Sequence, residues 1–153
     1  MSAAYGERLE STGGIAALVK AGRLGRKGGR GFYLYKGGKK RGVDASVYEL
    51  LGVHPNGGPR PADILQRLVL GMLNEAVRAV AEGVVQTPRD GDIGAIFGFG
   101  FPPFRGGPLR HADDLGAARL VTDLERLAER CGPRFAPCDA LRDLVRRNAK
   151  FYP

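Results

Sequence analysis

A chain of 153 residues is long enough for one domain with a buried core or for two small lobes. The hydrophobic fraction of 43% excludes wholesale disorder, and the 24 glycines and 10 prolines predict short elements joined by many turns. No apolar run approaches the roughly 18–20 residues that cross a bilayer, and the N-terminus lacks a hydrophobic signal core, so we expect a cytoplasmic protein without a membrane span.

The charged and sulfur-containing residues narrow the possible chemistry. The net charge of +8 resides in residues 23–41, which contain eight basic residues and no acidic one, whereas the rest of the chain holds 16 of each sign. Cys131 and Cys138 lie seven residues apart, which is not a CxxC spacing, and only two histidines are available to join them. We therefore predict two reduced thiols and no metal site.

The first third of the chain predicts short elements. Residues 14–21 are predicted to form a helix that Gly22 ends in a left-handed conformation. The basic segment 23–41 contains a run of aromatic side chains that predicts a short extended segment at residues 31–35. After it, the glycines and cations of residues 37–41 predict a solvated loop.

The remainder of the chain is predicted to be helical, so the expected fold class is mainly α. Turn-forming residues fill 52–61 and predict a linker between lobes. From residue 62 to residue 82, apolar side chains recur at spacings of three and four and predict one long helix, with Asn74 off its apolar stripe. The stripe comprises Leu65, Leu68, Val69, Met72, Leu73, Ala76, Val77 and Val80. Other helical segments are predicted at residues 44–51, 88–97, 109–115, 117–130 and 139–147.

The motifs of autonomous catalysis are missing from this sequence. Residues 98–100 begin a dinucleotide-binding pattern, but Pro103 stands where the third glycine is required and no βαβ context surrounds it. His111 could pair with Asp113 or Asp114 as a general acid–base unit, although neighbours this close on a short helix often interact only incidentally. We therefore predict no catalytic residue, no cofactor-binding residue and no metal ligand in this chain.

The basic segment 23–41 allows three interpretations. Its cations, interleaved with Phe32, Tyr33 and Tyr35, could contact single-stranded nucleic acid through phosphates and stacking. The same features suit a smaller polyanion, such as the diphosphate and 3′-phosphate of CoA. In the third interpretation, the segment is a solvated loop whose aromatic side chains belong to the core. The residues alone leave all three open.

Several segments resemble a known family. Residues 25–35, GRKGGRGFYLY, are similar to the GRK-x-G-x-GFY-x-Y ending of a 3-hydroxyacyl-CoA dehydrogenase C-terminal unit. Residues 74–78 and 97–108 resemble the second such unit of multifunctional fatty-acid-oxidation enzymes, and the run FGFGFPPFRGGP is the specific part of this match. The resemblance implies that residues 1–51 are the tail of a first helical unit, 52–61 a linker and 62–153 a complete second unit.

The resemblance also implies an activity for the parent enzyme. In that family, an enoyl-CoA hydratase/isomerase part is joined to an NAD-dependent dehydrogenase that oxidises the 3-hydroxyl of an acyl-CoA to a ketone. The catalytic residues and the dinucleotide loop lie in a Rossmann domain upstream of any residue in this sequence. We therefore expect NAD to bind the parent enzyme and not this chain, which would brace the Rossmann domain and help form the acyl-CoA cleft.

Few site residues follow from the resemblance. Phe97 matches a position, commonly tyrosine, that is associated with substrate contact in the family, and the phenylalanine would leave only an apolar contact. A core position is the alternative for this side chain. Arg26 and Lys27 are candidate contacts for the CoA phosphates. The expected partners are the Rossmann domain and acyl-CoA, with a thiolase β-subunit or self-association as further candidates. A non-catalytic assembly module is the alternative function, and nucleic-acid binding at residues 23–41 is a less favoured one.

Overall fold

The computed structural model describes Gly6, residues 13–55 and residues 57–153. The chain divides into two compact units, Met1–Gly58 and Pro59–Pro153, and the division falls within the predicted linker 52–61. The fold class is mainly α, as predicted. Within the described residues, no helix combines the length and the hydropathy that crossing a membrane requires.

The described residues of the first unit form two short helices and one hairpin. Helix α1 is Gly14–Lys20, strand β1 is Tyr33–Lys36, strand β2 is Lys39–Val43 and helix α2 is Ser46–Leu51. The strands are antiparallel, and a 3-10 turn at Arg26–Gly28 precedes them. The extended segment predicted at residues 31–35 is thus present as β1.

The predicted solvated loop at residues 37–41 is wrong, because Lys39 already begins β2. Gly37 and Gly38 both have positive φ, of 58° and 72°. Two consecutive residues with positive φ form the tight turn that matches the twist of a two-stranded ribbon. The cations of β2 disguise the strand in the sequence, since all of its residues are exposed and no apolar alternation marks it.

The second unit is a packed set of helices. They are α3 (Pro61–Ala81), α4 (Pro88–Phe99), α5 (Pro108–Leu115), α6 (Ala117–Cys131) and α7 (Asp139–Arg146), with 3-10 turns at Pro103–Arg105 and Pro133–Phe135. Proline occupies the first turn of α3, α4 and α5, where its missing N–H costs nothing. Helix α4 runs two residues beyond its predicted end, because its left-handed cap is Gly100.

The core of the second unit lies where α3 meets α5, α6 and α7. Its fully buried leucines are Leu73, Leu109, Leu120, Leu124 and Leu141. The predicted stripe of α3 is only partly buried: the buried residues begin at Leu70, and the side chains of Leu65 and Leu68 are exposed. Periodicity identifies the apolar face of a helix but does not say how much of that face other elements cover.

Asn74 also differs from the sequence prediction, and here the side chain is more buried than predicted. It was expected off the apolar stripe, yet it is one of the buried residues of α3. Its side-chain amide donates to the carbonyl oxygen of Ala136 at 2.9 Å, and its Oδ1 accepts from the backbone N–H of Cys138, also at 2.9 Å. Because Asn74 supplies both a donor and an acceptor, it satisfies two backbone groups of the segment that leads into α7.

Candidate docking surface

The first feature of the site is a set of exposed apolar side chains on α4 and the loop that follows it. Phe97 is 85% exposed and Phe104 is 82% exposed, and Ile93 lies one turn before Phe97 on α4. We call these three residues the α4–loop surface. Phe97 therefore does not occupy the core position that was its alternative. Large aromatic side chains left in water are typical of surfaces that another molecule covers.

A groove between α3 and α4 is the second feature. It has a volume of about 400 Å³. Alanine and methionine side chains of α3 form one wall, and the other wall includes Gly94, whose missing Cβ meets no neighbouring atom. Its lining residues are Met72, Glu75, Ala76, Ala79, Val85, Asp90, Gly91, Gly94, Ala95, Phe99 and Pro108. The groove is therefore an apolar recess with carboxylates among its lining residues.

A buried carboxylate joins α4 to the first turn of α5. Asp92, on α4, is only 3% exposed. Its Oδ1 accepts from the backbone N–H of Leu109 at 2.7 Å, and its Oδ2 accepts from the N–H of Arg110 at 3.0 Å and from the hydroxyl of Tyr152 at 2.7 Å. The two N–H groups belong to the first turn of α5, so Asp92 caps that helix from another element and its charge meets the positive end of the helix dipole.

The C-terminal residues contact Asp92 and the first turn of α5. We call residues 149–153 the C-terminal strap. The Asp113 carboxylate accepts from the backbone N–H of Phe151 at 3.0 Å and from that of Tyr152 at 2.9 Å. The Arg110 guanidinium lies 3.9 Å from the centre of the Tyr152 ring. Burial, followed by the hydrogen bond to Asp92, raises the pKa of Tyr152 to about 12.

At Gly107 the loop lies close to Asp92 of α4. The φ of Gly107 is 110°, a conformation that side chains with a Cβ rarely adopt. A Cβ at this position would overlap the Cβ and Cγ atoms of Asp92. The glycine at this position of the run 97–108 therefore has a local physical reason, because a Cβ does not fit between the loop and the buried carboxylate.

Among the described residues, no hydrogen bond joins the His111 side chain to Asp113 or Asp114, and its buried Nδ1 has no partner. Asp113 is occupied by the backbone N–H groups of the C-terminal strap. Burial lowers the pKa of His111, and the nearby Arg105 adds to this effect. The ring packs 6.4 Å from that of Phe101. Within the described residues, no group of three or more side chains could hold a metal ion, and Cys131 and Cys138 are free thiols.

The comparisons with known proteins identify the family of this chain. The model of the 3-hydroxyacyl-CoA dehydrogenase C-terminal domain matches residues 64–150. The chain belongs to this family. It is also 50% identical over 148 residues to the fatty acid oxidation complex subunit alpha of Shewanella loihica, which covers 96% of this chain and 21% of that protein. The subunits alpha of Vibrio cholerae and Vibrio vulnificus are 49% and 50% identical, over 97% and 98% of this chain.

The dehydrogenase C-terminal domain thus accounts for the second unit, and the relatives extend the similarity over nearly the whole chain. The chain spans about a fifth of the length of these relatives. The sequence resemblance to this family is confirmed. Neither the family match nor the geometry assigns a role to Phe97, which remains a predicted substrate contact.

The basic segment lies in the first unit, outside the family match. Asp44 is buried, and its Oδ2 accepts from Arg23 at 2.6 Å and from Arg30 at 3.2 Å. The hydrogen bond from the Ser46 hydroxyl, followed by that from Arg23, lowers the pKa of Asp44 to about 2. Lys40 lies 4.1 Å from the centre of the Tyr33 ring. These contacts engage two arginines and one aromatic ring within the chain, so fewer of these side chains are left to bind a nucleic acid.

Arg26 and Lys27, the candidate contacts for CoA phosphates, lie in the exposed 3-10 turn Arg26–Gly28. Among residues 13–55 and 57–153, neither forms an ion pair. Asp44 instead joins Arg23 and Arg30, which flank this turn, and so anchors both of its ends. Both cations of the turn are therefore exposed and without an ion pair to any other described residue.

Proposed function

We propose that this chain is the C-terminal, non-catalytic part of an NAD-dependent 3-hydroxyacyl-CoA dehydrogenase in a multifunctional enzyme of fatty-acid β-oxidation. In the parent enzyme, which we place in the cytoplasm, it braces the Rossmann domain and helps form the acyl-CoA cleft. The catalytic residues and the NAD site belong to that domain, and the parent also carries an enoyl-CoA hydratase/isomerase part. Membership in the dehydrogenase C-terminal domain family supports this proposal.

The exposure of Phe97 and Phe104 is the observation that carries the bracing role. Burying one such side chain stabilises an assembly by roughly 1.5–3 kcal/mol, so covering both is a substantial driving force. A chain that keeps both side chains exposed to water does not gain this stabilisation. The relatives are about five times as long, and they contain the additional protein that could cover the α4–loop surface.

A chimera tests the bracing role. This chain would replace the matching C-terminal fifth of a related subunit alpha, and 3-hydroxyacyl-CoA-dependent NADH formation would be measured. We expect activity in the chimera, and a loss of kcat/KM of about tenfold or more when Phe104→Asp places a charge in an apolar interface. Val84→Asp is the matched control, because Val84 is an exposed apolar residue before the opposite end of α4.

Two outcomes would contradict the proposed function. One is a Phe104→Asp chimera as active as its Val84→Asp counterpart, which would contradict the bracing role. The other is NADH formation from 3-hydroxyacyl-CoA by the isolated 153-residue chain, since that would place the catalytic residues within it.

The CoA contact is tested separately, by the double variant Arg26→Gln and Lys27→Gln in the same chimera. An exposed ion pair contributes about 0.2–1 kcal/mol, so we expect KM for the CoA thioester to rise several-fold, less at high salt. The corresponding pantetheine thioester lacks the phosphates bound by this pair, so its KM should stay unchanged. Equal effects on the two thioesters would exclude a phosphate contact at these residues.

A non-catalytic assembly module is the second candidate function, and the apolar groove between α3 and α4 favours it. Its partner would be the thiolase β-subunit of the parent complex or a second copy of this chain. Sedimentation of the isolated chain over a wide concentration range tests self-association. Phe99→Ser, which removes an exposed aromatic side chain that lines the groove, should weaken any dimer. A monomer at every concentration would exclude self-association.

A further inference from the structure

Asp92, Arg110 and Tyr152 contact one another, and we call them the Asp92 cluster. This cluster connects the end of the chain to α4 and to the start of α5. We propose that the C-terminal strap is a positioning element, which holds the loop between α4 and α5 in the conformation that leaves Phe104 exposed. This proposal rests on the proposed function only in naming the α4–loop surface as the surface that docks. The coupling itself concerns contacts within this chain.

Few backbone hydrogen bonds join the loop between α4 and α5 to residues outside it. Phe101 is buried, and its N–H donates to the carbonyl oxygen of Ala95, which secures the beginning of the loop. The next bonds are local, from Arg105 to Pro102 and from Gly106 to Pro103. Phe104 itself is exposed. The end of the loop is joined to α4 through the two bonds that Asp92 accepts from the first turn of α5.

The strap reaches the same carboxylate from the other side. The hydroxyl of Tyr152 donates to Oδ2 of Asp92, the oxygen that also accepts from the N–H of Arg110. Arg110 in turn lies over the Tyr152 ring. One carboxylate and one arginine therefore join the strap to the start of α5. A change in the position of Tyr152 alters the hydrogen bonding of Asp92 and, through it, the end of the loop.

The strap has its own attachment, which makes it a separate element. The Asp113 carboxylate accepts from two successive backbone N–H groups, those of Phe151 and Tyr152. The side chains of these residues are partly buried against the core. Asn148, just before the strap, has a positive φ of 46°, which turns the chain away from α7. A substitution at Asp113 can thus loosen the strap while the Asp92 side chain itself is not mutated.

Hydrogen–deuterium exchange of the full chain tests this coupling. Tyr152→Phe removes only the hydroxyl, and Asp113→Ala removes only the acceptor of the strap. A hydrogen bond to a charged group contributes roughly 1.5–3 kcal/mol, so we expect exchange in residues 101–110 to rise about tenfold or more in each variant. Exchange in α6 should stay at the wild-type rate, because the opening is local.

Arg142→Met is the matched control. It removes a side-chain hydrogen bond between α7 and α6, in which Arg142 donates to Glu125 at 2.6 Å, and it leaves the Asp92 cluster intact. We expect wild-type exchange in residues 101–110 of this variant. Unchanged exchange of the loop in Tyr152→Phe, or a uniform increase throughout the second unit in both strap variants, would overturn the proposal. These readouts need no docking partner, so they remain valid whether or not the bracing role is correct.

Discussion

Gly107→Ala is expected to lower the free energy of unfolding of the second unit by about 3–5 kcal/mol, or to prevent it from folding. Two costs add at this position. The positive φ strains any residue with a Cβ by about 1–3 kcal/mol. The new Cβ also overlaps the Cβ and Cγ atoms of Asp92. Because that carboxylate is held by three hydrogen bonds, it cannot rotate away without losing them.

Gly116→Ala separates these two costs. Gly116 also precedes a helix and has a positive φ of 83°, but a Cβ there meets no atom within 4 Å. We expect this variant to lose only the strain component, about 1–3 kcal/mol. Urea unfolding followed by far-UV circular dichroism measures both variants. Equal losses at Gly107 and Gly116 would show that the approach to Asp92 has no energetic importance.

Asp92→Ala is expected to cost about 3 kcal/mol or more. The substitution leaves two backbone N–H groups and the Tyr152 hydroxyl without their acceptor. A donor that is buried without a partner costs about 1–3 kcal/mol. Asp92→Asn should cost less than Asp92→Ala, because the amide keeps one oxygen acceptor while its NH₂ group faces a donor. The same urea titration measures both variants.

Asp114→Ala is the control for this prediction. Asp114 is an exposed aspartate on α5. A surface substitution of this kind usually changes stability by about 0.5 kcal/mol or less. If Asp92→Ala were as mild as Asp114→Ala, the buried carboxylate would not contribute to the stability of the junction between α4 and α5.

The helices of the second unit could be predicted because their signals are local. The spacing of Leu120, Leu124 and Leu127 places them on one face of α6, and all three are buried. Thr87 followed by Pro88 indicates the start of α4, where the Thr87 hydroxyl accepts from the N–H of Asp90. Strand β2 was missed because its signal is a turn conformation at Gly37 and Gly38 rather than an apolar pattern.

The sequence by itself determined the family of this chain, its mainly α class and its family-specific run at residues 97–108. These properties depend on local patterns of side chains, which can be read without knowing what packs where. Only the tertiary structure decided that Phe97 is exposed and that Asn74 is buried. It alone joined Asp92 to Tyr152, 60 residues away. Such pairings arise from the packing of whole helices, and no periodicity in the chain encodes them.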